Sequence, residues 1–111
     1  MKRVTYGAIA SKLTGVLDAN NIIARNVKNY LTPIQYFCLY LGFPNITSIV
    51  VIQGETEPSK GCRLVLGKNY EEEQNLVLKF DWLGIDKVLI EKYLTDEEQK
   101  TLQVLILIVK K

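Results

Sequence analysis

The chain has 111 residues, 48% of them apolar and 23% charged, which suits one domain, residues 1–111, with a core that needs neither a disulfide nor a metal. It has no histidine and only two cysteines, Cys38 and Cys62. That excludes a structural zinc site, which takes about four Cys/His ligands, and leaves a serine or cysteine nucleophile without its usual base. The net charge of +2 is uneven. Residues 1–70 carry eight Lys/Arg against three Asp/Glu, a net of +5, and residues 71–111 carry six against nine, a net of −3. A basic front suits a domain that presents one face to phosphate.

The first predicted element is a helix over TYGAIASKL, residues 5–13. Thr5 is a good N-cap, Tyr6, Ile9 and Leu13 share one stripe, and Gly15 is expected to stop the helix. Asp18 or Asn20 is available to cap the next helix. That second helix is expected over residues 21–31, with Ile23, Val27 and Tyr30 or Leu31 buried and Arg25, Lys28 and Asn29 outside. Thr32-Pro33 reads as a restart, because proline fits the first position of a helix. The third helix, residues 33–41, aligns Ile34, Phe37, Cys38 and Leu41 and ends at Gly42. Two β-rich runs come next, TSIVVIQ at 47–53 and CRLVL at 62–66, separated by GETEPSKG. They are expected to pair as a β-hairpin. Beyond Asn69, Glu71, Glu72 and Glu73 suit a helix start, with Leu76, Val77, Phe80 and Leu83 as its apolar face. Residues 86–94 fit strand or helix. Thr95 and the acids after it open a last element, read as a helix. The fold class expected is therefore α+β: a small winged helix-turn-helix of three helices (1–46) and a hairpin wing (47–66), with a mostly helical C-terminal segment (69–111).

The motifs TYGAIA and ARNVKNYL resemble the DNA-binding half of the alkylguanine DNA alkyltransferases and alkyltransferase-like proteins. The family has a T/S-Y-G-x-I/L-A helix before an A-R-A-V-G-x-A-L recognition helix. The resemblance covers residues 5–66, about half of the chain, through short motifs. It implies that Tyr6 presses on a phosphate and that Arg25 enters the base stack. It also implies that the turn around them, with Asn26, Lys28 and Asn29, faces DNA, and that Lys60 sits in the wing loop. The departures are plain. Lys28 replaces a glycine that lets the family's helix approach DNA closely, and PIQYFCLYLG is inserted after the recognition helix. The reactive Pro-Cys-His-Arg is missing, so alkyl-transfer chemistry is not expected.

No other enzyme is indicated. A phosphate-cradling G-x-x-x-x-G-K is absent, and Glu55, Glu57 and Lys60 lie in an expected loop rather than on the adjoining strands of a metal nuclease. No cofactor is expected. Tyr36 and Tyr40, four apart and off the apolar stripe of their helix, form a ridge suited to bases or to a protein partner. The start of the chain lacks a signal-peptide pattern. The longest apolar run, residues 104–109, is too short for a bilayer, which takes about 20 residues. A cytoplasmic protein with free thiols is expected. Two functions are open. One is a non-catalytic winged-helix protein that binds nucleic acid, in the first place duplex DNA. The other is a small protein-interaction module, an inhibitor or immunity-type protein of a bacterial or phage conflict system, with its acidic C-terminal third or the ridge of Tyr36 and Tyr40 as its binding face.

Overall fold

The computed structural model describes residues 3–18, 21–52, 54 and 70–110. Helix α1 spans Tyr6–Val16. It begins where expected: Thr5 is extended and its Oγ1 accepts the Ala8 amide at 3.2 Å. Ile9, Ala10 and Leu13 are buried. The helix runs through Gly15 and stops later, where the Leu17 amide donates to the Leu13 carbonyl and Asp18 takes a φ of 50°. Asp tolerates that left-handed conformation better than most residues. The Thr14 hydroxyl then donates to the Ala10 carbonyl and accepts the Ile22 amide, both at 2.9 Å. Ile22 is buried, and Ile23, expected inside, is 37% exposed.

The two helices expected over 21–31 and 33–41 are one. Ala24–Asn26 form a 3-10 turn, and α2 runs unbroken over Val27–Leu41 with Pro33 inside it. Proline removes one helical hydrogen bond, and locally that argues for a break. The buried stripe Val27, Leu31, Ile34 and Cys38 keeps one phase across the proline. Burying it in a single piece outweighs the lost bond, because tertiary packing supplies most of a helix's stability. Gly42, at φ 74°, ends the helix, with the Phe43 amide donating back to the Cys38 carbonyl.

The wing is the main correction. Within the expected first strand, Ile46–Ile49 is a 3-10 turn, and only Val50–Val51 is extended. That short strand, β2, pairs in parallel with β1, Val4–Thr5, in the register Val4 to Val50 and Thr5 to Val51. It is not half of an antiparallel hairpin, and the expected partner at 62–66 lies outside the described residues. The described protein is primarily α, not a winged helix. The cause is local. Asn45 Oδ1 accepts both the Thr47 amide at 3.1 Å and the Thr47 hydroxyl at 2.7 Å, which winds the chain into a turn. Residues 46–51 are all buried, so β-branched residues here fill a core rather than line a one-sided sheet.

Helix α3 spans Tyr70–Lys79. Its buried residues are Gln74 and Val77, and Leu76 and Leu83, expected inside, are 50% and 72% exposed. Trp82 supplies the missing bulk. It opens a 3-10 turn, Trp82–Gly84, is 1% exposed, and donates its indole N–H to the Val77 carbonyl at 2.8 Å. The ambiguous stretch 86–94 is helix α4, Lys87–Tyr93, capped by Asp86. Helix α5, Asp96–Lys110, starts with a reciprocal box in which Thr95 N–H donates to Glu98 and Glu98 N–H donates to Thr95 Oγ1. It buries Thr101, Leu102, Val104, Leu105, Ile106 and Val109.

The core lies where α1 and α2 pack on α5, with the Ile46–Ile49 turn seated between α2 and α3. A row of rings, Phe37, Phe43, Phe80 and Trp82, links α2 to the end of α3, with successive centroids 6.1, 5.1 and 4.5 Å apart. Gln74, fully buried, clasps two distant segments: it accepts from Arg3 Nε at 3.3 Å and donates to the Ser48 carbonyl at 2.8 Å.

Candidate functional site

The residues expected to contact DNA fall at one end of α2, on a scaffold different from the expected one. Arg25 and Asn26 are exposed in the 3-10 turn, and Lys28 and Asn29 are exposed in the first turn of α2. No separate recognition helix carries them. Tyr6 is half-buried and packs against the core. Lys60 lies outside the described residues. Asn26 and Asn29 also line an open cleft of about 380 Å³ with Tyr30, Pro33, Thr95, Glu97, Glu98 and Thr101. The opposite wall of this cleft is the acidic first turn of α5. Two carboxylates that line the same cleft as Asn26 and Asn29 disfavour a phosphate bound there.

Further along the same helix the surface changes character. Tyr36, Leu39 and Tyr40 are 58%, 57% and 73% exposed. Their spacings of three and four residues place them on one outer face. Tyr93, at the end of α4, adds to that face: its ring packs on that of Tyr40, tilted by 59° with centroids 5.3 Å apart, and Lys92 Nζ sits 5.4 Å from the Tyr93 ring centre. No charged residue occurs between Lys28 and Glu55, so the middle of this face is aromatic, aliphatic and uncharged. Charge depletion with tyrosine enrichment is the composition of an interface centre. Tyr36 and Tyr40 were legible from spacing. Leu39 and Tyr93 were not, although the charge-free run is visible in the sequence and marks the helix as unusual.

The remaining polar groups are structural. Cys38 is fully buried. Burial pushes its thiol up to about 11, against a hydrogen bond at Ile46 that pulls it down, and the charge of Glu73 adds to the rise. It is a neutral thiol at physiological pH and no nucleophile. The Glu73 carboxyl is raised by its own burial, opposed by the Asn45 amide and reinforced by Glu72. Gln35 Oε1 accepts from Asn45 Nδ2 at 3.3 Å, locking the turn to α2. Ser48 Oγ, buried, has no hydrogen-bond partner among the described residues. Among those residues no three His, Cys, Asp or Glu side chains converge as metal donors, and no helix is long and apolar enough to cross a membrane.

No protein-family model, curated protein or solved structure matches the chain. The resemblance to the alkyltransferase module rests on the residues that carry it, Tyr6 and the ARNVKNYL run.

Proposed function

We propose that the chain is a non-catalytic protein-interaction module that docks through Tyr36, Leu39, Tyr40 and Tyr93. The observation that carries the reading is the exposure of three tyrosines and a leucine together, three of the four on a stretch of α2 without charge, with Lys92 at the rim beside Tyr93. Tyrosines buried at the centre of a contact, away from water, supply a disproportionate share of binding energy. They are also rigid, so little side-chain entropy opposes their use. Reading of DNA by Arg25 and Lys28 is the weaker alternative, since Glu97 and Glu98 line the cleft that Asn26 and Asn29 enter.

The test is site-specific photo-crosslinking in cells, with a photoreactive phenylalanine at Tyr36, at Tyr40, or at the exposed Gln103 on α5. Protein adducts, whatever their identity, are expected from positions 36 and 40 and not from 103. No adduct from the ridge, or adducts to nucleic acid alone, would overturn the reading. An anisotropy titration with duplex DNA gives the complementary measurement. Binding that weakens with salt and is lost in Arg25→Ala/Lys28→Ala would favour the alternative.

A further inference from the structure

We propose that the occupant of the tyrosine ridge is a second copy of this chain, forming a two-fold dimer through antiparallel α2 helices. The inference rests on the reading of the ridge as a protein-docking face. In an isologous contact each residue near the axis meets its own copy, so a charge there is repelled by itself. The outer face of α2 from Asn29 to Tyr40, about 16 Å of helix, has exposed Asn29, Thr32, Tyr36, Leu39 and Tyr40 and no charge. It accepts its own image without penalty.

The flank of α2 adds a second argument. The α4–α5 connection runs along one side of this face. At the N-terminal end of α2 it places Glu97 and Glu98 beside Asn29 and Pro33. At the C-terminal end it packs Tyr93 on Tyr40 and holds Lys92 over the Tyr93 ring. A two-fold axis that reverses α2 keeps this flank on the same side of the dimer and inverts its direction. Glu97 of one copy then approaches Lys92 of the other, twice. This one pair of rim charges is thus complementary under the same operation that the uncharged centre permits.

The area agrees. At about 150–250 Å² for an aromatic side chain, the exposed parts of the four ridge residues amount to roughly 500 Å². A stable interface takes about 800 Å² from each partner. Asn29, Thr32 and the rim residues make up the difference only if the helices lie side by side, as the antiparallel arrangement requires.

Sedimentation equilibrium of the purified chain between micromolar and millimolar concentration tests this. A monomer–dimer equilibrium is expected. Tyr36→Lys/Tyr40→Lys, at exposed positions, should weaken it by roughly a hundredfold or more, with an unchanged far-ultraviolet circular dichroism spectrum and, at high dilution where both are monomeric, an unchanged melting curve. Glu97→Lys and Lys92→Glu should each weaken it about two- to fivefold, and the double charge swap should restore it. A chain that is monomeric throughout, or a dimer untouched by the two lysines, would overturn the proposal. Heterologous protein adducts from positions 36 and 40 with a monomeric purified chain would remove the second copy and leave the docking face standing. Absence of any adduct would remove both.

Discussion

Helices α2 and α5 are each 15 residues long and pack on one another, yet they treat water differently. The outside of α5 is solvated in the ordinary way, with Asp96, Glu97, Lys100, Gln103 and Lys110 exposed and Leu107 as a single apolar exception. Beyond Lys28 in its first turn, the outside of α2 has Tyr36, Leu39 and Tyr40 and no charge. Scattered apolar residues on a surface need no explanation, whereas a contiguous group does. The lesson is that a helix with apolar residues on two faces cannot be oriented by its own pattern. One of its faces is committed to the fold, and the other is available for something else.

The sharpest way to break the comparison is to truncate the two faces separately. Ile34→Ala and Leu105→Ala, both at fully buried positions of the α2–α5 region, should each cost about 2–5 kcal/mol in denaturant unfolding. Tyr36→Ala and Tyr40→Ala, measured on monomer at high dilution, should stay within about 0.5 kcal/mol of wild type. Equal losses on both faces would mean that the ridge belongs to the core.

The pH response sharpens the account of the inner face. Cys38 ionises near 11 in the fold, against an ordinary value of 9.0. Only the neutral thiol is accommodated, so its contribution is intact below about pH 9 and is lost as pH rises through about 11. The linkage corresponds to about 2–3 kcal/mol across that window. Unfolding curves between pH 8 and 11.5 should show the fall in wild type and a smaller one in Cys38→Ala, which starts from a lower stability. A thiol reagent should label Cys38 at the rate of opening rather than of a free thiol.

The smallest effect concerns helix starts. Thr95→Ala removes the Oγ1 acceptor of the Glu98 amide at the head of α5 and should cost about 1 kcal/mol. Thr5→Ala should cost a similar amount at α1, where the Ala8 amide loses its acceptor. Thermal melts of the two variants measure whether the ends of both helices are held by their caps.

These caps were legible because capping is local chemistry, decided by a side chain and an amide a few residues away. The same holds for the Gly42 stop and for the helical reading of 96–110. Fold class was not legible. The run 47–53 has the β-branched residues of a strand, but Asn45 winds its start into a turn and burial of residues 47–51 removes the need for alternation there. Nor was the continuity of α2, since Thr32-Pro33 is a fair helix start and only the shared phase of Val27, Leu31, Ile34 and Cys38 against the core overrides it. The apolar residues Leu76, on α3, and Leu83, in the turn after it, promised burial, but Gln74 took the inside, where it bonds Arg3 and the Ser48 carbonyl. For the candidate site, spacing along one helix identified Tyr36 and Tyr40. Tyr93, 53 positions after Tyr40 in the chain, joined them only through the packing of α4 beside α2, and so did the carboxylates that now face Asn26 and Asn29. Sequence by itself determined the Thr5 and Thr95 caps, the Gly42 stop and the charge-free stretch, all of which depend on near neighbours. Tertiary structure decided which apolar face is core and which is free, because burial is a property of contacts between segments remote in the chain.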